Sequence, residues 1–354
     1  MSPIVNFSTS NIQKTSPIYA IEGVNQQNKE QKVLELLETS GFYELLKKRD
    51  KNALIILKCN FTPTSQKEYK YYTDPEIVNV LFSEILDRGY KNVNIAESET
   101  HFGDAFPEMT IENTAKVLGF KGNVVNLTKD DTTVFNHESG SVALSNMMID
   151  AAKHGFLINC PFAKNHEVFV MTNCLKNIYG SIPAKNKFTL FHQKKSRLDV
   201  PMVTYKANMI TKPHYNFVDF IQGIDGDERA LFYKALPPEK RGTGINPFLN
   251  EGYYPAGMML AGLDNLSLDK FISVKMGYLQ NESPIVKYYA EQIGDFDVHD
   301  VHIIGSDFKP LPGWKKVSWL WLIHGIIEHQ LPVNEETIAK GIRNYYFDKE
   351  LKNE

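Results

Sequence analysis

Short apolar runs recur along the chain, each followed by a stretch whose apolar residues return every three or four positions. That alternation builds a mostly parallel sheet covered by helices. The spacing predicts a helix over 31–46, a strand at 53–57 and a helix over 74–88, with Ile77, Val80, Leu81 and Leu86 as its apolar positions and Gly89 as its stop. Strands follow at 93–96, 124–127 and 156–160, with helices near 111–118, ended by Gly119, and near 145–153. Four strand-helix units are thus expected by residue 180. Beyond them the pattern predicts strands at 217–221, 258–260 and 301–304 and helices over 267–276 and 284–293. Residues 225–257, rich in Gly, Pro and charge, read as a long loop or insertion. Residues 313–329, which carry the three tryptophans, read as a packed helix before a helical tail. The expected fold is α/β, a mostly parallel sheet flanked by helices in a single elaborated domain. Its parts are an N-terminal extension and helix over 1–49, a core over 50–310 and a C-terminal helical segment over 311–354.

Composition narrows the function classes. A chain of 354 residues with 42% hydrophobic and 23% charged residues can bury a large core. The formal charge of -3 supplies no global attraction to nucleic acid or an anionic membrane, so neither is an expected partner and any anion site must be local. The longest apolar runs, at 53–57 and 319–323, fall well short of the roughly 20 residues of a membrane span. The start, MSPIVNFSTSNIQK, has no apolar signal-like region, which reads as cytoplasmic. Cys59, Cys160 and Cys174 are too few and too scattered for a disulfide framework, a CxxC pair or a four-cysteine cluster site. No iron-sulfur cluster is expected from this chain alone. Aromatic residues, 12% of the chain, are not interleaved with a basic stripe as a nucleic-acid platform requires.

Ligands of open parallel sheets sit outside the carboxyl ends of the strands, so the residues after each predicted strand are the candidates. Lys58, Cys59 and Asn60 follow the first; Glu97, Ser98 and Glu99 the second; Pro161, Lys164, Asn165 and His166 the run at 156–160; Asp219 lies inside 217–221 and leads to Asp225. Lys58 and Lys164 could clamp a carboxylate or phosphate, or simply extend to solvent from strand ends. His166 has the ordinary pKa range for proton transfer near neutrality, with Asp219 or Glu97 as an acidic partner, and could equally be a cap or a half-buried histidine. Lys164, His166 and Asp219 form the candidate catalytic set, and Lys58, Asn60, Glu97, Lys176 and Asn177 the candidate binding set. If 167–179 were one helix, about ten residues would separate His166 from Lys176, or about 15 Å at the helical rise. Lys176 and Asn177, sharing a face with Asn173, would then contact an extended ligand or tie the helix to a neighbour. Lys185 and Lys187 follow Pro183 in a predicted loop where solvation is the default.

Asp225, Asp264 and Asp269 could offer oxygen ligands to Mg²⁺ or Ca²⁺, but no EF-hand spacing exists, and Asp264 also suits a helix cap and Asp269 a helix-surface pair. Zinc is disfavoured because no HxxxH or HExxH occurs and His154, His166 and His192 are dispersed. GxGxxG after a strand, GxxxxGK[ST] and GxSxG are all absent.

The segments ILKCNFTPTSQKEYKYYTDPEIVNVLFSEILDRGYKNVNIAES and LINCPFAKNHEVFVMTNCLKNIYGSIPAKNK resemble the domain of unknown function 362 family, and the likeness continues at FVDFIQGIDGD and AGLDNLSLDKFISVKMGY. The family pattern is a strand, a proline, a Lys-x-His pair and a Lys-Asn helix end with a following glycine; Pro161, Lys164, His166, Lys176, Asn177 and Gly180 occupy it here. Asp219, Gly223, Asp225 and Gly226 fall on the family's acidic glycine-rich stretch, with Phe220 where a glycine is usual. Asp264 and Asp269 fall on its DPxxLD-like stretch, with Asn265 in place of the proline. Many relatives carry a ferredoxin-like cysteine cluster that this chain lacks. The family is distantly similar to the lactate-racemase-like group, whose members have a similar proline-rich strand end followed by His and Lys near a cofactor site. The resemblance implies a small carboxylate as ligand class. The leading expectation is an enzyme doing acid-base chemistry on a small anionic metabolite. The alternatives are a non-catalytic anion- or cofactor-binding accessory protein, or a redox accessory subunit that needs an iron-sulfur partner. Cofactor, metal and oligomeric state stay open.

Overall fold

The computed structural model describes residues 16–61, 70–99, 110–137, 140–166, 168–184, 187, 190–191, 198–226 and 251–317. Lys185, His192, residues 227–250 of the predicted loop and everything from 318 onward, including most of the expected tryptophan-bearing helix and the tail, lie outside the described residues.

The strands are β1 (Ile18–Ile21), β2 (Ile55–Cys59), β3 (Val93–Glu97), β4 (Asn123–Asn126), β5 (Thr132–His137), β6 (Gly140–Ser145), β7 (Phe156–Cys160), β8 (Phe162–His166), β9 (Val170–Thr172), β10 (Tyr215–Gly226), β11 (Glu251–Tyr254), β12 (Met258–Gly262) and β13 (Ile303–Ile304). The helices are α1 (Lys29–Thr39), α2 (Phe42–Lys47), α3 (Pro75–Asp87), α4 (Ile111–Leu118), α5 (Asn146–Lys153), α6 (Cys174–Ile178), α7 (Val200–Ile210), α8 (Asn265–Lys275) and α9 (Pro284–Ile293). The main sheet runs β13-β1-β12-β10-β7-β2-β3-β4, with β8 and β11 added to β10 and β9 added to β8. From β10 through β7, β2 and β3 to β4 every pairing is parallel, while β12 is antiparallel to both β1 and β10. The fold is α/β with a mixed, mostly parallel sheet. Among the described residues no helix is long and apolar enough to cross a membrane.

Helices cover both faces, so the central strands read as continuous apolar runs. Alternate residues of β2 divide between two cores. Ile55, Leu57 and Cys59 pack with Leu36, Phe42, Ile77 and Leu81 of α1, α2 and α3. Ile56 packs on the opposite face with Leu175, Ile178, Val203 and Phe271 of α6, α7 and α8. Lys58 shares the face of Ile56, so it points toward α6. Helix starts are set by side-chain caps: Asp74 accepts the Glu76 N-H at 2.9 Å before Pro75 opens α3, and Thr110 accepts the Asn113 N-H at 3.2 Å at the start of α4.

Several predicted elements change form. The helix expected over 31–46 breaks into α1 and α2 because Gly41 takes a left-handed φ of 72° between them. The helix expected over 167–179 shrinks to α6, since residues before it turn back as β9 against β8. The strand expected over 301–304 is only β13, and residues 313–317 form the end of a turn and a stretch without regular structure rather than the first turns of a helix. The β5–β6 hairpin, helix α7 and the strands β1, β8, β9 and β11 were not predicted; β11, paired with the end of β10, lies inside the stretch 225–257 read as a loop. At the turn between β8 and β9, Val170 has a φ of 69°, the one positive value outside glycine among the described residues.

Gly155 admits the chain into β7 over the backbone of Leu54, whose oxygen would lie 2.0 Å from any added Cβ. Gly155→Ala is expected to lower unfolding free energy by about 1–3 kcal/mol in urea titration, because the obstacle is backbone and not a movable side chain. Wild-type stability in that variant would contradict the packing described.

Candidate functional site

The carboxyl ends of β2, β3, β7 and β10 carry most of the predicted residues, which divide into a frame and a rim; Lys164 of the rim is itself buried, and His166 and Lys176 are half-buried. Lys58 belongs to the frame. It is fully buried, and its ammonium meets Glu97 Oε1 at 2.9 Å, the Cys59 carbonyl at 2.7 Å and Asn177 Oδ1 at 3.4 Å. Three N-H donors therefore have three acceptors within the protein. Glu97 also accepts the Ser98 N-H at 2.8 Å and the Phe61 N-H at 3.4 Å. Gly180 lies directly over the pair: a Cβ there would stand 2.6 Å from Glu97 Oε1 and from Lys58 Nζ. The glycine of the Lys-Asn-x-x-Gly stretch thus exists for close approach.

Asn177 extends the frame. Its Nδ2 donates to the Lys58 carbonyl at 2.9 Å and to Asn159 Oδ1 at 2.8 Å; Asn159 in turn donates to Asn216 Oδ1 at 2.8 Å, and Asn216 to the Gly262 carbonyl at 3.2 Å. This relay crosses the sheet from β2 to β12. Lys187, expected in a solvated loop, is instead buried, and its ammonium donates to Ser98 Oγ, to the Glu99 carbonyl at 2.9 Å and to the Ile182 carbonyl at 3.3 Å. Burial pulls the Lys187 pKa down to about 8.

Asp219, fully buried on β10, anchors the start of α3. Its Oδ2 meets Lys70 Nζ at 3.0 Å and accepts the Asp74 N-H at 2.8 Å, and its Oδ1 accepts the Ile221 N-H at 3.2 Å. Asp74 pairs with Lys29 at 2.9 Å. Burial opposes ionisation of Asp74, yet the Lys70 and Lys29 ammoniums outweigh it and hold the carboxyl below its usual range. Asn60 is held through Thr73, which donates its N-H to the Asn60 carbonyl at 2.7 Å and accepts the Asn60 N-H at 3.0 Å.

Lys164 and His166 form the rim with residues that the sequence reading did not single out. They alternate along β8 and so share one face, while Asn165 faces the other way. The Lys164 ammonium lies 4.9 Å from the centre of the Tyr71 ring, and Lys70 lies 5.1 Å from that of Phe162. His166 Nδ1 accepts the Val168 N-H at 3.1 Å and the Phe169 N-H at 3.4 Å, closing the hairpin turn, and its ring centre is 5.1 Å from that of Phe169. An Nδ1 that accepts amide N-H groups leaves the proton of the neutral ring on Nε2. Lys176 approaches the same Phe169 ring, 5.9 Å from its centre, and lies 4.0 Å from that of Tyr179. The 15 Å separation predicted from one continuous helix is therefore wrong: the chain reverses at the hairpin, and one phenylalanine lies beside both groups. Lys176 and Asn177, adjacent in sequence, go to rim and frame respectively. Asn165 fixes the strand from behind, donating to the Gly226 carbonyl at 3.0 Å and the Lys315 carbonyl at 2.8 Å and accepting from Tyr278 and the Trp314 indole at 3.1 and 3.2 Å.

The three aspartates weighed as metal ligands hold backbone amides at separate places. Asp225 accepts the Lys315 N-H at 3.1 Å, Asp264 caps α8 through the Ser267 N-H at 2.8 Å, and Asp269 accepts the Cys174 and Leu175 N-H groups of α6 at 2.8 and 3.1 Å. Among the described residues no three His, Cys, Asp or Glu side chains gather as a metal site would require.

The profile of the family described as Domain of unknown function (DUF362) matches residues 55–273, which holds β2 through most of α8 and with them both frame and rim. The chain belongs to this family. No curated protein matches the sequence. Among solved structures the chain is similar to the lactate racemase apoprotein from Thermoanaerobacterium thermosaccharolyticum, at 12% identity and a TM-score of 0.37, over 60% of this chain. The match spans about half of the racemase, 52% of its chain, and a likeness this distant carries nothing about chemistry.

Lys58→Met is expected to cost about 3–5 kcal/mol in chemical denaturation, because it strands a buried carboxylate, and Glu97→Gln added to it should recover part of the loss. Equal loss in the single and double variants would show that the pair is not the origin. A second expectation concerns pH. Burial pushes the Asp269 carboxyl up to about 7 against the Leu175 and Cys174 amides, which favour its charged form. The folded value lies above the unfolded one of about 4, so the contribution is full below that pH and is lost as pH rises toward 7. Asp269→Asn should flatten the fall in stability between about pH 4 and about pH 7; an unchanged slope would contradict the assignment.

Proposed function

We propose that the β8–β9 rim is the anion-binding active site of an enzyme that does acid-base chemistry on a small carboxylate-bearing metabolite. One observation carries the reading: His166 of β8 and Lys176 of α6 lie beside the one Phe169 ring, and Lys164, two residues before His166 on the same strand, lies beside Tyr71. Lys164 and Lys176 bind the anion. His166, its Nδ1 engaged by the turn, presents Nε2-H toward a substrate oxygen and stabilises negative charge developing there. Its part in the acid-base chemistry is that of a fixed donor, the electrophile that shares its Nε2 proton with the substrate oxygen as charge develops there, since taking a proton onto Nδ1 would break the turn. Lys58, Glu97 and Asn177, weighed as binding residues from the sequence, and Asp219, weighed as a catalytic partner of His166, act in this proposal through the frame that positions β8 and α6. The same fixed donor also suits a binding protein without turnover, which is the second reading.

Two replacements of His166 separate turn from ligand. Asn places an acceptor near Nδ1 and removes the Nε2-H; Gln places an amide near Nε2 and removes the turn acceptor. Thermal-shift screening against small carboxylates and phosphates, followed by turnover assays on each hit, is expected to find a stabilising carboxylate. His166→Asn should keep the wild-type melting temperature without ligand and lose about 10²–10³-fold in kcat, the range for one oxyanion donor. Stabilisation without turnover would favour the binding protein. Turnover unaffected by His166→Asn and Lys164→Gln would remove the rim from the mechanism.

A further inference from the structure

The carboxyl edge of the sheet continues past β10. β12 is antiparallel to both β10 and β1, so β1 and its parallel neighbour β13 end on the same side as β7, β2 and β3. Where they end, a cavity of about 450 Å³ opens between Glu22 after β1, Asp307 and Lys309 after β13, Lys275 at the end of α8, and an apolar wall of Ala256, Met258, Leu311 and Pro312. Its volume is that of a small-molecule site, and its place is where open sheets hold ligands. No residue of the frame or rim lines it, and only Ala256 and Met258 among its lining residues fall inside the family match over 55–273.

Lys275 is a buried charge with slack contacts. Its side chain is 5% exposed, yet its acceptors among the described residues are the Asp307 carbonyl at 3.4 Å, Asp307 Oδ1 at 3.5 Å and Glu22 Oε1 at 3.7 Å. All lie beyond the usual hydrogen-bond range of about 2.7–3.2 Å. Lys58, also buried, closes on its nearest acceptors at 2.7 and 2.9 Å. The two carboxylates beside Lys275 are half exposed and held in place. Ser306 Oγ donates to Glu22, and the Lys309 backbone N-H, 2.9 Å from Asp307 Oδ1, holds that carboxyl below its usual range. A buried cation thus lies behind two anions that face solvent. A lone carboxylate reaching Lys275 would pass between like charges, and a lone amine would add a cation beside Lys275. A molecule with both charges on neighbouring atoms satisfies both signs. We infer that this cavity binds an α-amino acid with an apolar side chain, its carboxylate on Lys275, its ammonium between Glu22 and Asp307, and its side chain against Met258 and Leu311. This site is separate from the rim and does not depend on the chemistry proposed there.

Isothermal titration of the full chain with leucine, methionine and phenylalanine tests this. At least one of them should bind with a Kd of about 1 mM or tighter. Its analogue without the ammonium (4-methylpentanoate for leucine), its amide, which lacks the carboxylate, and glycine, which lacks the side chain, should each bind about tenfold or more weakly. Lys275→Gln should weaken the amino acid about tenfold or more, and so should the double variant Glu22→Gln with Asp307→Asn. Circular dichroism and the melting temperature establish that each variant is folded. If Lys275→Gln does not fold, the double variant decides, since both of its positions are half exposed. The inference is overturned if none of the three amino acids binds at that level, if the analogue without the ammonium binds as tightly as the amino acid, or if binding is unchanged in a folded variant.

Discussion

The buried contact between Lys58 and Glu97 is the constraint on which the rest of the site depends. Two opposite charges taken out of water on neighbouring parallel strands are tolerable only while they face each other and their remaining donors and acceptors are filled. A register slip of one residue in β2 would turn Lys58 into the apolar core beneath α1 and α3 and leave Glu97 alone. The pair therefore specifies register as well as closing a layer. Gly180 and Asn177 complete it from α6 and the turn after it, which joins that helix to the sheet by polar contacts as well as by the packing of Leu175 and Ile178. Lys176, one residue away, inherits its place from that attachment.

The lysine- and asparagine-rich stretch owes its form to alternation. On β8, Lys164 and His166 face the rim while Asn165 faces Trp314 and Tyr278. On α6, Lys176 reaches Phe169 and Tyr179 while Asn177 reaches Lys58 and Asn159. Each lysine is thus accompanied by an asparagine whose amide can donate and accept together, which lets it secure the backbone that displays the lysine. The rim is held by inward-facing amides more than by its own contacts.

Strands β2, β3, β7, β10 and β12 are legible in the sequence because they are buried on both faces and therefore written as apolar runs. β8 is not, since Phe-Ala-Lys-Asn-His looks like a loop until Asn165 finds two carbonyls far along the chain. The same limit hid the place of Lys187: a lysine after a proline reads as solvated, and it is Ser98 Oγ with the carbonyls of Glu99 and Ile182 that makes its burial tolerable. The place of Lys164 and His166 just beyond the end of β7 was legible from the apolar run before them. That Lys58 and Glu97 partner each other, and that Asp219 holds Lys70 and the start of α3, depends on pairings between distant segments which no local spacing encodes. The missed rings, Tyr71 and Phe169, carried no signal beyond ordinary apolar character.

Val170 stands opposite His166 in the β8–β9 pairing, in a left-handed conformation that a branched side chain resists. Such a residue costs on the order of 1–3 kcal/mol, comparable with what burying a valine returns. A glycine would relieve the backbone and empty part of the core; a larger side chain would fill the core and worsen the backbone. The turn that aims the imidazole is thus a compromise between two opposed requirements, and few other residues at position 170 satisfy both. The orientation of a half-buried histidine is consequently governed from the apolar interior, by a side chain with no polar atom to offer any ligand.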